Sequence, residues 1–235
     1  MHQDAPIIYY HGETDVGKVR PNNEDAFTIC EADRYCLVAD GMGGAAAGEV
    51  ASEIFTETAR IVFAGHDGRS EADTIARMQR AFKLANDKIR QHVENNPDAK
   101  GMGCTAELLA FSDDVFILGH VGDSRTYRLR NTHLKQLTKD HSLVQEQVDQ
   151  GLISPEQARS HAMRNVILRA VGVNETVALD LLKAKLQPGD VFMLCSDGLT
   201  DMVGDPSIRE ILAGQGSLKK KTQQLIQLAK QAGGK

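Results

Sequence analysis

Three apolar runs follow one another with almost nothing between them: "CTAELLAFS" from Cys104, "DVFILGHVGDS" from Asp114 and "RTYRLR" from Arg125. A parallel strand pair needs a crossover of a dozen or more residues, usually a helix. The step from 112 to 114 is far too short for one, so the spacing predicts antiparallel neighbours throughout this block. Upstream, "AFTICEADRYCLVAD" holds two short apolar runs, 26–30 and 35–39, around a polar turn, and predicts a β-hairpin. An alternating β-α-β chain is therefore excluded over the segments that carry most of the strand signal.

Helices separate these strands in pairs. One is predicted over 46–63 and a second over 71–94, where Ile75, Met78, Phe82, Ala85, Ile89 and Val93 recur at steps of three and four. "ENNPDAKGMG" closes the second with Asn, Pro and Gly. Further strands are predicted near 177–184 and 191–195, and further helices near 205–213 and 217–232. Strand pairs alternating with helix pairs predict an α+β fold of two antiparallel sheets with helices packed outside each. No repeat or low-complexity linker divides the 235 residues, which read as one domain. Residues 142–171 are polar, helix-prone and interrupted, and read as a flap inserted into it.

Composition narrows the function classes. A formal charge of −5 with no long basic run argues against a nucleic-acid surface. Lys219, Lys220 and Lys221 read as a solvated helix face. No stretch approaches the length of a membrane span, and "MHQDAPIIYYHGETD" lacks the features of a secretory signal, so the expected location is the cytoplasm. Cys30, Cys36, Cys104 and Cys195 show no zinc-ligand spacing and read as buried free thiols.

Four stretches place acids at element ends beside Gly, Ser or Asn: "RPNNEDAF" (Glu24, Asp25), "VADGMGG" (Asp40), "HVGDSR" (Asp123) and "LCSDGLTD" (Asp197, Asp201). Any one of these caps a turn or a helix in the ordinary way. Asp201 keeps that reading, and Asp25 is equally explained as holding its turn. Strand ends that meet at one edge of a sandwich would bring the set together. Converging carboxylates repel unless they are protonated or bridged by cations, and all-oxygen ligands select hard ions such as Mg²⁺ or Mn²⁺. Glycine beside an acid lets a backbone carbonyl approach as a further ligand.

Taken together, "RPNNEDAF", "VADGMGG", "GCTA", "VGDSRTY", "LTKDHSLV", "RNVILRAVG" and "CSDGLTDMV" resemble, in order and spacing, the metal-dependent protein phosphatases of type 2C, bacterial branch. The resemblance runs from about residue 12 onward. It implies a four-layer α-β-β-α sandwich and hydrolysis of phosphoserine and phosphothreonine in proteins by a water activated between two metals. On that resemblance Asp40 bridges two Mn²⁺ or Mg²⁺ ions, Glu24 and the Gly41 carbonyl complete one side, and Asp197 serves the other. Asp123, shared with Asp197, resembles the ligand for a third, weaker metal. Arg20 resembles the guanidinium that grips the substrate phosphate. The implied partners are phosphorylated proteins and a Ser/Thr kinase that the enzyme opposes as a monomer. Where many eukaryotic relatives carry a candidate general-acid His, this chain has Met42; His141 is an alternative proton donor if the flap brings it near.

Two rival readings remain. "GMGGAA" loosely fits a dinucleotide-binding turn, but Asp40 and Glu49 would both face a pyrophosphate unfavourably and no βαβ unit follows. A catalytically impaired pseudo-phosphatase acting as a binding module is the second. It is motivated by the expectation that the sequence stops before the Asp-Asn motif and closing strand that such phosphatases carry after a stretch like "LIQLAKQAGGK".

Overall fold

The computed structural model describes residues 6–43 and 47–234. The expected hairpin is β1 (Asp25–Cys30) and β2 (Tyr35–Met42), with Arg34 at positive φ closing the turn. Every second residue of β2 is buried, the period-two signature of a strand with one face on a core. Its register sets Asp25 directly opposite Asp40. Like charges in that position are destabilising, so the hairpin already places two acids at a cost.

Helix α1 (Ala47–Phe63) follows; residues 44–46 of the Gly/Ala turn, including the expected first helical residue, lie outside the described residues. Helix α2 (Glu71–Asn95) starts where the Ser70 side chain accepts the Asp73 N–H, with Glu71 and Asp73 favouring the positive end of the helix. A 3₁₀ turn, Pro97–Ala99, leads to β3 (Gly103–Cys104), β4 (Ala106–Ser112) and β5 (Val115–Val121). Strands β4 and β5 form the predicted tight antiparallel hairpin, with Asp113 at φ 45° in its turn.

The third run departs from expectation. Strand β6 (Arg125–Arg130) does not pair with β5 but crosses into a second sheet, where it lies between β7 (His133–Gln136) and a later strand, β9 (Val191–Cys195). Gly122, at φ 116°, makes the change of sheet, and a Cβ there would lie 2.6 Å from the Thr105 side chain. The edge that β5 leaves free is taken by β8 (Asp180–Lys185), which begins three residues later than predicted. The flap segment carries two short helices, α3 (Leu143–Asp149) and α4 (Pro155–Arg159). After β9 come α5 (Asp197–Thr200), α6 (Asp205–Ala213) and α7 (Leu218–Gln231).

Among the described residues the first sheet therefore runs β1-β2-β4-β5-β8, with β3 on β2, and the second β7-β6-β9. Three apolar clusters glue four layers together. Phe55, Phe63, Met78, Phe82 and Ile89 of α1 and α2 pack on Tyr35, Leu37, Leu108, Ala110 and Ile117 of the first sheet. Leu109, Phe111, Phe116 and Leu118 face Phe192 and Leu194 across the gap between the sheets. Ile208, Leu212 and Leu225 of α6 and α7 cover Leu129 of the second sheet. Strand β4 is buried along its whole length because both its faces are covered, as expected for the α-β-β-α sandwich. Beside the outer edge of β9 runs a cleft of about 1930 Å³ bounded by residues 6–15 and α7.

All four cysteines are unpaired, but only Cys104 and Cys195 are buried. Cys30 and Cys36 are half-buried: Cys30 lies on the edge strand β1, and Cys36, on the inner strand β2, lines the cleft.

Candidate functional site

The acids arrive on four separate segments. Asp25 and Asp40 are delivered by the β1–β2 register, Asp123 by the turn between β5 and β6, and Asp197 as the first residue of α5 directly after β9. Asp40 is held from both sides of its peptide unit: its N–H donates to the Thr105 hydroxyl (3.0 Å) and its carbonyl accepts the Thr105 N–H (2.8 Å). Glu24 precedes β1, and its carbonyl accepts the Gly41 N–H (3.1 Å) and the Ser52 hydroxyl (2.7 Å). The start of α1 presses against this pair. A Cβ on Gly41 would lie 2.0 Å from the Gly48 carbonyl oxygen, and one on Gly48 would lie 2.8 Å from the Glu24 Oε1. Arg20 is largely exposed, its Nη1 3.9 Å from the Glu24 carboxylate.

The electrostatics show that these groups share one space. Burial first, then the charges of Asp25, Asp197 and Asp123, push the Asp40 carboxyl well above its usual range. Burial also raises Asp25, with Asp197 adding to it and a hydrogen bond from Ser196 Oγ (2.7 Å) opposing. Asp197 is raised by burial and by Asp201, against the lowering pull of its contact with Asp40 and of Arg20 and Arg125. Asp123 is pushed up to about 7 by burial, then by Asp197 and Asp140. Asp25 and Asp40 lie opposite one another in register, and Asp40 and Asp197 each act on the other's titration. Between such neighbours one proton does what a cation would otherwise do.

This donor set fits hard divalent ions. It is built of carboxylates, of which Asp123 is buried and the others partly so, and a backbone carbonyl, and among the described residues Asp123 Oδ1 has no hydrogen-bond partner. Among the described residues no three His, Cys, Asp or Glu side chains close around a single point. The carboxylates meet in pairs instead, which suits ions that retain waters and take one or two carboxylates each. A cysteine nucleophile has no place here: burial drives the Cys104 and Cys195 thiols far above their ordinary range.

All six residues singled out from the sequence (Arg20, Glu24, Asp40, Gly41, Asp123 and Asp197) thus lie around one cluster. Asp25, left open between turn and site, also belongs to it. Asp201 faces outward to Arg164 (3.5 Å) while still acting on Asp197. Sequence reasoning missed Thr105, whose hydroxyl also meets Ser124 Oγ (2.7 Å), as well as Ser196 and Gly48. "GCTA" and "CSDG" were visible as motifs, but nothing in them separates a residue that holds an acid from one that merely precedes it.

The family model described as "Protein phosphatase 2C" matches residues 18–231. The chain is 40% identical over 230 residues to the serine/threonine protein phosphatase PstP of Mycobacterium tuberculosis, covering 97% of this chain and 43% of that protein. It therefore spans less than half the length of that relative. It is 37% identical over 225 residues to the serine/threonine phosphatase stp of Listeria innocua, covering 94% of this chain and 89% of the relative. Among solved structures, the catalytic domain of PstP in complex with two manganese ions superposes with a TM-score of 0.85 at 38% identity, over 94% of this chain and 90% of that one.

Proposed function

Because the chain belongs to the protein phosphatase 2C family, we propose that it hydrolyses phosphoserine and phosphothreonine in proteins with Mn²⁺ or Mg²⁺ held by its acid cluster. The observation that carries this reading is the convergence of Asp25, Asp40, Asp123 and Asp197 from separate strand ends, beside an exposed Arg20 whose charge reaches Asp197.

In this reading Asp40 would be shared by two ions, Glu24 and the Gly41 carbonyl would help hold one of them, Asp197 the other, and Asp123 with Asp197 a third. When bound, such ions lower the pKa of water toward neutrality and offset charge on a phosphoryl group. The remaining work falls to the chain. Arg20 offers a planar, always-charged fork to the phosphate oxygens, a geometry suited to bidentate binding. Its exposure leaves it free to meet a phosphorylated side chain presented by another protein. Thr105 and Ser196 keep Asp40 and Asp25 aimed inward. Met42 has no proton to give the leaving alkoxide. The setting we infer is bacterial signalling: a monomer in the cytoplasm that opposes a Ser/Thr kinase. Four unpaired thiols support a reducing compartment, and among the described residues no helix is long and apolar enough to cross a membrane. Nothing in the cluster favours the catalytically impaired alternative.

The test is turnover of a phosphothreonine peptide with Mn²⁺ and with chelator. Activity should vanish with chelator, and turnover that persists would sink the metal-dependent reading. Asp40→Asn should lower turnover on the order of a hundredfold or more, the scale on which losing one electrostatic stabiliser acts; a loss of only a few-fold would remove Asp40 from the shared position.

A further inference from the structure

His141 lies under the acid cluster with only 7% of its side chain exposed, and both its ring nitrogens are engaged. The Gly122 N–H donates to Nδ1 (3.1 Å), so Nδ1 carries no proton and the neutral ring holds its hydrogen on Nε2. Nε2 faces Asp180 Oδ2 at 3.2 Å, an acceptor suited to that N–H; Arg169 Nη1, a donor 3.3 Å from the same nitrogen, has Asp180 Oδ1 as its acceptor at 3.2 Å. The backbone completes the grip. The His141 N–H donates to the Gly122 carbonyl (2.7 Å), and the Leu168 N–H donates to the His141 carbonyl (2.7 Å). Arg169, next in the chain, reaches Asp180 Oδ1 (3.2 Å), and Ser142 bridges to Ile167.

A second histidine fixes the state of the first. His120 stacks on His141 with ring centroids 4.5 Å apart. Its Nδ1 meets Glu107, and its Nε2 lies 2.8 Å from the Lys139 carbonyl. Against the lowering effect of its burial, Glu107 and then the Lys139 carbonyl raise His120, and the Thr126 hydroxyl donates to the other oxygen of Glu107. Burial, and then His120 against its face, hold His141 below its ordinary range.

We propose that His141 is a positioning residue that joins the root of the 142–171 flap to the turn carrying Asp123, through a neutral imidazole whose Nδ1 accepts from Gly122 and whose Nε2–H is committed to Asp180. It is then not the general acid, because neither nitrogen has a proton free for a leaving group. The role of the turn rests on the phosphatase reading above; the coupling itself does not.

Amide hydrogen exchange on the metal-free protein tests the coupling. His141→Ala should speed exchange at Gly122 about tenfold, the scale of one lost hydrogen bond. His141→Asn supplies an acceptor where Nδ1 stood but cannot reach Asp180. It should restore protection at Gly122 and turnover of a small aryl phosphate, while KM for a phosphothreonine peptide stays raised. Unchanged Gly122 exchange in His141→Ala, or an Asn variant that behaves like Ala, would overturn the proposal. Should His141→Ala not fold, the ¹⁵N shifts of the wild-type ring decide: an unprotonated Nδ1 supports it, and an Nδ1–H overturns it. Asp123→Asn separates the two readings. If it leaves Mn²⁺-dependent turnover intact, the assignment of Asp123 fails while the exchange result still decides His141.

Discussion

At Gly48 one methyl group decides whether α1 can reach the acid cluster. The added carbon would lie 2.8 Å from Glu24 Oε1, the end of a side chain, and from the Gly41 carbonyl, whose peptide is tied to the Glu24 carbonyl through the Gly41 N–H. Neither can withdraw without moving a candidate ligand. Gly48→Ala should therefore lose about 1–3 kcal/mol by overpacking and reduce turnover further than that loss of folded protein explains. Urea unfolding followed alongside phosphopeptide turnover checks this, and an unchanged midpoint would show that the helix has room to give. The same residue marks a limit of what the sequence displays. Asp40, Asp123 and Asp197 were legible because an acid beside glycine at the end of an apolar run is conspicuous. Gly48 and Thr105 were not, because their importance comes from a helix start crossing a strand end, and from a hydroxyl meeting a backbone 65 residues away.

Elements with a strong period were read almost to the residue: α2, α6 and α7 follow the three-and-four spacing of their apolar residues, and β9 spans the expected 191–195. Strand β7 was missed. Its hairpin turns on Asn131 and Thr132, both at positive φ, and a β-branched residue in that region hides a turn that Asn-Gly would have announced. Which sheet β6 joins was hidden too, since a short connection constrains neighbours but not a glycine that turns the chain over. The flap is better anchored than its interrupted pattern suggested. Both ends are pinned, by Ser142 to Ile167 and by the Leu143 N–H to the Val166 carbonyl (2.9 Å), and Arg164 reaches Asp201 on the segment that carries Asp197. Its outward side shows Leu152, Met163, Val166 and Leu168. On the proposed function, a surface of this kind beside the cluster is suited to meeting a protein substrate rather than a small ester. Exchanging 150–163 for the corresponding loop of a relative should change the preference among phosphoproteins several-fold and leave a small aryl phosphate nearly unaffected. Equal losses on both substrates would place the flap in the catalytic machinery instead.

The cluster is assembled across the whole molecule: Asp25 and Asp40 belong to the first sheet, whereas Asp197 follows a strand of the second. Their separation is set by how the two sheets pack, and that contact is aromatic. Phe116 of β5 meets Phe192 of β9 edge-on at 4.8 Å, and Phe111 meets the same ring at 5.9 Å. Phe82 is as fully buried as Phe116, but lies between α2 and the first sheet, away from the interface that sets the acids apart. Truncating either ring should cost about 3–5 kcal/mol. The consequences for function should differ. With Phe116→Ala the sheets can settle toward one another and shift Asp197 relative to Asp40, and a misplacement of about 1 Å is worth up to a hundredfold in rate. With Phe82→Ala the helix layer relaxes and the sheets keep their register. Compared under conditions where both variants are fully folded, Phe116→Ala should lose at least tenfold in turnover and bind Mn²⁺ more weakly, while Phe82→Ala stays near the parent. Denaturation curves establish the matched conditions, and metal titration with phosphopeptide turnover gives the result. If the two variants lose activity equally, the packing between the sheets does not govern the spacing of the acids, and the bonds from Thr105 and Ser196 are enough to hold it.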